Sequence, residues 1–259
     1  MRKCGLFILA CPIAVFAWGV EGHSLVARIA EAQLTTAVRA RVAEILGPGR
    51  TLASVANWPD EVRRTRPETA PWHFINIPIT VPHLDRSRDC PTDNCVLARI
   101  NILRETLRDP ATPAAARTEG LMFLIHFVGD MHQPLHCADN QDKGGNGVPV
   151  SLAGQRMNLH SAWDTGLLTR IGTEEELLPA LLEESLKHAQ KWRRGTVDDW
   201  AEEAHKSARR KVYGKLSKSA NSNPVLLDAA YEAMAATLIR TQLEKAGVRL
   251  ARVLNEALQ

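Results

Sequence analysis

An all-α domain interrupted by one small β-hairpin is the fold class this sequence predicts, and three observations lead there. Apolar residues recur at helical spacing through most of the chain, as at Leu25, Val26, Ile29, Ala30 and Leu34. Alternation with a period of two is confined to Val148, Val150, Leu152 and Met157, Leu159, on either side of a turn at Ala153-Gly154-Gln155. No low-complexity linker divides the 259 residues, whose 45% hydrophobic content suffices for one sizeable core.

The first 17 residues read as a cleaved secretory signal. Arg2 and Lys3 precede an apolar stretch from Leu6 to Phe16, and Val15-Phe16-Ala17 suits the cleavage position, so the mature chain would start at Trp18. A lipoprotein-type cut before Cys11, in Ile8-Leu-Ala-Cys11, is the alternative; it would leave an apolar region of only a few residues. The expected location is exported, periplasmic or extracellular, with no membrane span after processing. Losing Arg2 and Lys3 lowers the formal charge from +3 to +1. A nearly neutral chain has no broad basic surface for polyanions, so any phosphate recognition must be local. Cys90-Pro-Thr-Asp-Asn-Cys95 is a short loop that reads as a disulfide in an exported protein, leaving Cys137 odd.

Helices are expected from about His23 to Leu34, from Ala37 to Leu46 before the stop at Gly47-Pro48-Gly49, and from Leu52 to Arg64. Pro71-Trp72-His73-Phe74-Ile75-Asn76-Ile77-Pro78 is bounded by prolines and reads as extended. Further helices are predicted at roughly 96–108 and 114–133, and after the hairpin at 173–192, 197–213 and Pro224 to Leu258. His188 and His205 stand among charges and read as solvated; Trp192, Trp200 and Tyr213 read as core.

The stretch His126 to Asp164 concentrates chemistry. It holds four of the nine histidines. His126 and Asp130 are four apart, as are His160 and Asp164, so each pair shares a helix face. His132 falls about 240° round from His126, away from that face. Imidazoles with carboxylates and no paired cysteines suit zinc better than calcium or magnesium.

These motifs resemble a known family: the exported, zinc-dependent, single-strand-specific nucleases of the S-one/P-one type, mung bean nuclease among them. The resemblance covers nearly the whole mature chain. It rests on Trp18 with His23 five residues on, Asp60 after Trp58-Pro59, and His73 before an aromatic. It continues through the His-x3-Asp-x-His-Gln-Pro-Leu-His string from His126 to His136, Gly144-Gly145-Asn146, and Asn158-Leu159-His160-x3-Asp164. The implied fold is the single-domain helical phospholipase C/P-one nuclease-like architecture. Three zinc ions are implied, the first on Asp60, His73, His126 and Asp130 and the second on His136, His160 and Asp164. The third would take the Trp18 α-amine and carbonyl, His23 and the shared Asp130.

The implied activity is hydrolysis of single-stranded DNA and RNA to 5′-phosphate products, with 3′-nucleotidase activity, by a monomer. Asp60 would also accept a proton from the attacking water, Arg63 would clamp phosphate, and Phe74 would stack a base. Asn76 departs from the Asp found in several fungal and plant members; since Asn both donates and accepts, no base preference carries over. Lys143 and Asn146 lie where the family approaches substrate. Bacterial zinc phospholipases C share the architecture but typically close their second site with His-x3-Glu, whereas this chain has Asp164. In a third reading, zinc only staples a helical bundle. Closed structural sites hold four ligands, usually rich in cysteine, whereas the His136, His160, Asp164 set offers three.

Overall fold

The computed structural model describes residues 18–217 and 223–259, so the expected secretory signal, residues 1–17, lies outside the described residues. Long helices run at Val20–Glu31, Thr36–Leu46, Val96–Arg108, Ala114–His132, Glu174–Trp192, Val197–Ser207 and Ala229–Ala257. Local chemistry sets several starts. Thr173 and Thr196 each form a reciprocal capping box, with Glu176 and Asp199 respectively, satisfying backbone N–H groups the first turn leaves unpaired.

The Ala114–His132 helix is the axis of the molecule. Every residue from Gly120 to His132 is buried, with Val96–Arg108, Ala229–Ala257 and Val20–Glu31 packed around it. A helix enclosed on all sides can bury polar side chains on every face, provided each finds a partner. It stops where it must, because Pro134 disfavours helical geometry at Gln133, which is extended. Among the described residues no helix is long and apolar enough to cross a membrane.

The all-α class with one small hairpin is observed, with four local corrections. The expected Leu52–Arg64 helix is two pieces, Leu52–Val55 and Trp58–Val62. Pro59 explains the break, since it fits the first turn of a helix but not its interior. In Pro71–Pro78 the first three residues close a 3-10 helix, Pro67–His73, and only the residues after it run extended. The Pro224–Leu258 run is not helical at its start: Val225–Leu227 is a strand, β3, parallel to β1 (Pro149–Leu152), which in turn pairs antiparallel with β2 (Gln155–Asn158). Three residues are too few to show a period of two, and an open strand edge recruits them. The β1–β2 turn itself is Ala153-Gly154, both at positive φ (49° and 81°), as a tight hairpin requires.

The fourth correction concerns His205, which is fully buried rather than solvated. It shares the face of Ala201, Ala208 and Val212, and its ring nitrogens lie 3.2 Å from the Cys137 carbonyl and 2.9 Å from that of Val81. Trp192 and Trp200 are core, and Tyr213 is half-buried. Cys90 and Cys95 are joined, and Cys137 is a buried free thiol.

His132 points away from the other site histidines, as the helical arithmetic predicts. Its Nδ1–H donates to the Val128 carbonyl at 2.7 Å and its Nε2 accepts from Arg249 at 2.9 Å. Arg249 in turn pairs with Glu203, which also meets Lys245. Burial, and then the Arg249 charge, push the His132 pKa down to about 3. A pKa below the unfolded value of 6.5 means the stability His132 contributes is complete above pH 6.5 and is lost as pH falls towards 3. Removing the imidazole leaves a buried guanidinium N–H without an acceptor, costing about 1–3 kcal/mol. His132→Ala should therefore keep its metal content and melt at lower temperature at neutral pH. The gap from wild type should narrow as pH falls below 6.5, as melting curves read in parallel with elemental analysis would show. A metal-deficient variant would contradict the assignment.

Candidate metal centre

Asp130 sits at the meeting point of three imidazoles. Its Oδ1 lies 3.2 Å from His23 Nε2, while its Oδ2 lies 2.9 Å from His73 Nδ1 and 3.3 Å from His126 Nε2. Each oxygen thus faces a different histidine set, the arrangement of a bridging carboxylate. His126 is one helical turn before Asp130, His23 comes from the first turn of Val20–Glu31, and His73 ends the 3-10 helix. Asp60, from the Trp58–Val62 helix, brings Oδ1 to 3.8 Å from His126 Nε2 and 3.9 Å from His73 Nδ1. The Arg63 guanidinium lies 3.4 Å from the same oxygen.

A second set stands beside the first. His160 Nε2 is 3.4 Å from Asp164 Oδ2, and the His136 and His160 rings are 4.9 Å apart. His160 and Asp164 keep their four-residue spacing across Leu159–Ser161 and the π-helical turn Ala162–Gly166.

These atoms fit divalent metal. Bonds of about 2.0–2.1 Å in a tetrahedron place neighbouring donor atoms about 3.3 Å apart, close to several of the separations above. Three His/Asp groups have donor atoms near enough to hold an ion: His73, His126 and Asp130; His136, His160 and Asp164; and His23, Asp60 and His126. Second-shell carbonyls select the nitrogen left for metal. Nδ1 of His126, His136 and His160 donates to the carbonyls of Ala56, His73 and Gly144 at 2.7, 2.7 and 2.6 Å, so each Nε2 carries a free lone pair. Both Asp60 oxygens, Asp130 Oδ1 and the Nε2 atoms of His136 and His160 are buried and make no hydrogen bond. Buried polar atoms without partners are costly, and here they converge.

The electrostatics agree. Burial pushes the pKa of His136 down to about 3 and of His23, His73 and His160 to about 4, leaving neutral ligands. Burial also raises the Asp164 and Asp60 carboxyls above their usual range. Burial pulls Asp130 the same way, but the imidazoles facing it, His126 first and then His23 and His73, hold it well below that range.

A cavity of about 350 Å³ opens onto the second set. Its walls include Arg63, Phe74, Asn76, His136, Lys143, Asn146 and His160, so the residues expected to meet substrate are brought together. Gly144 makes the wall possible. It sits at φ +62°, and a Cβ there would lie 2.8 Å from the Leu135 carbonyl oxygen.

Residues 18–259 match the family model described as S1/P1 nuclease. The chain belongs to the S1/P1 nuclease family. Nuclease S1 of Aspergillus oryzae is 34% identical over 166 residues, covering 61% of this chain and 57% of that protein. Nuclease P1 of Penicillium citrinum is 37% identical over 155 residues, 57% of each chain. Endonuclease 2 of Arabidopsis thaliana is 30% identical over 210 residues, 76% of this chain and 70% of its own length. The chain thus spans just over half the length of the two fungal relatives.

The S1/P1 ligand scheme and the observed groups differ in one respect. The resemblance puts Asp60 with His73, His126 and Asp130, while the geometry also groups Asp60 with His23 and His126. Trp18 is fully buried under the first helical turn, with its indole N–H unpartnered. Two residues were missed from sequence. Gln133 Nε2–H donates to Asp164 Oδ1 at 2.6 Å and its Oε1 accepts from the Leu135 N–H, so it steers Asp164 Oδ2 towards His160 while capping the turn that carries His136. Its place in the His-Gln-Pro-Leu-His string was the available signal. Asp139 lines the cavity and accepts from the N–H groups of Asp142 and Gly144; nothing in the sequence marked it.

Proposed function

We propose that this chain is an exported, zinc-dependent phosphodiesterase that hydrolyses single-stranded DNA and RNA to 5′-phosphate and 3′-hydroxyl ends, with 3′-nucleotidase activity, and that it carries three zinc ions. The observation that carries this reading is the Asp130 bridge between imidazole sets, beside a cavity with an arginine at its rim and an aromatic on its wall. Bound zinc would act as a Lewis acid, lowering the pKa of a coordinated water and offsetting charge on the phosphoryl and departing 3′ oxygens. The protein's own residues do the rest. Phe74 stacks an unpaired base, which a paired base in duplex cannot offer. Arg63 donates two N–H groups to the non-bridging phosphate oxygens as charge builds on them. Asp60, beside Arg63, accepts the proton of the attacking water. As the new P–O bond forms, the P–O3′ bond breaks, and the leaving oxygen is protonated from solvent.

The test is end analysis of a labelled oligonucleotide, with zinc present and then chelated. Zinc-dependent 5′-phosphate ends are expected; 3′-phosphates or a 2′,3′-cyclic product would sink the mechanism. Turnover of a short-chain phosphatidylcholine instead would favour the phospholipase alternative.

Phe74 and Arg63 separate binding from chemistry. Phe74→Ala should lower kcat/KM on an oligonucleotide by about 5- to 150-fold, from a stacking loss of about 1–3 kcal/mol, and spare a small aryl phosphodiester. Arg63→Ala should lower kcat on both, because the charge it meets develops at phosphorus. Equal losses on both substrates for Phe74→Ala would make it a packing residue only.

A further inference from the structure

From Ala204 to Leu227 the chain has no acidic residue but carries Lys206, Arg209, Arg210, Lys211, Lys215 and Lys218. Outside this run 29 acidic residues stand against 26 basic ones, so the chain's positive excess is concentrated in this one segment. Among the described residues, no carboxylate pairs with Lys206, Arg209, Arg210, Lys211 or Lys215. Lys206, Arg209 and Arg210 line a cleft that Asp199, Glu202 and Glu203 also line, while Lys211 and Lys215 are exposed outside it; cations close together along one turn attract phosphates more strongly than an isolated one.

The segment's place in the fold gives it a partner. The Val197–Ser207 helix continues as the π-helical turn Ala208–Tyr213, which packs by Ala208 and Val212 and lies against Pro134–Cys137, the turn that carries His136. The Tyr213 hydroxyl donates to Asp142 Oδ1 at 2.9 Å, and the same oxygen accepts from the Gly145 N–H at 2.8 Å. Tyr213 therefore anchors the cationic turn to the loop that presents Lys143 and Asn146 to the cavity. Arg209 is one turn back from Tyr213, on the same side. On its far side the segment enters β3, which pairs with β1, the strand that continues from that loop.

We propose that the Lys206–Lys215 segment is a second contact surface, beyond the catalytic cavity, for the sugar–phosphate backbone of a single-stranded polynucleotide whose reacting phosphate lies beside Lys143. The inference rests on the nuclease reading for its partner. None of these side chains lines the cavity, so they act on the affinity for strands long enough to leave it and leave the chemical step alone.

The experiment compares the zinc-loaded protein with an Arg209→Gln/Lys211→Gln/Lys215→Gln variant, on a dinucleotide and on a single strand of about 30 nucleotides. Each backbone contact contributes about −0.7 to the slope of log affinity against log salt, so three lost contacts should flatten the slope by about 2. KM for the long strand should rise about 100-fold near 0.1 M salt, with kcat and both dinucleotide constants unchanged. Binding of an uncleavable phosphorothioate strand should show the same change in slope. An unchanged slope, or equal losses on the dinucleotide, would overturn the surface. Loss of the slope in binding by a protein that cuts no strand would support the surface and remove the nuclease reading.

Discussion

Asp130→Ala should strip metal from the centre and abolish measurable turnover, because one carboxylate serves two donor sets. Its Oδ1 faces His23 and its Oδ2 faces His73 and His126, at 2.9 to 3.3 Å. Removing a carboxylate that serves a single set costs one site; removing this one leaves two sets short of a ligand and short of negative charge. Metal-supplied stabilisation of several kcal/mol corresponds to a rate loss of about 10³-fold or more. Elemental analysis should find about one metal per chain, retained by His136, His160 and Asp164, whereas Asp164→Ala should lose that one and keep the other two. Asp130→Asn is the sharper comparison, since it preserves shape and one oxygen while removing the charge. Full metal content in Asp130→Ala would show that the two donor sets are independent.

The second large effect concerns Trp18, the residue that signal cleavage would make the first. If export processing exposes Trp18, its α-amine, with an ordinary pKa near 8, gains a lone pair available to metal, which an amide nitrogen inside a chain lacks. Trp18 is fully buried, and Gly22 lies so close that a Cβ there would come 2.7 Å from the Trp18 Cβ, so the residue packs tightly against the first helix. A chain beginning Met-Ala-Trp18 should therefore fold and bind close to two zinc ions in place of three. Its activity should fall by at least about 10²-fold, the scale of one lost electrostatic contact in the transition state. Trimming the extension with an aminopeptidase should restore both. Full zinc and full rate in the extended chain would refute the N-terminal ligand.

Much of this site was readable because helices convert spacing into direction. His126 and Asp130, and His160 and Asp164, face the same way for that reason alone, and the same arithmetic turned His132 aside to meet Arg249. The rule failed where a local signal was too short or too diluted. Val225–Leu227 is a strand because β1 has an open edge to offer. His205 reads as solvated from its charged sequence neighbours, yet the helix turns it towards Cys137 and Val81.

Periodicity and spacing determined by themselves the helical class, the single hairpin and the cluster of His126, Asp130, His136, His160 and Asp164, while Trp18, His23, Asp60 and His73 became candidate ligands only through the family resemblance. Only the tertiary structure decided which atom of each residue is available. That Asp130 divides its oxygens between histidine sets, that Gln133 holds one oxygen of Asp164, and that backbone carbonyls of Ala56, His73 and Gly144 leave each Nε2 free follows from contacts between segments far apart in sequence. Such contacts have no spacing rule, because they depend on how buried helices cross, and burial is what makes every unpaired donor or acceptor consequential.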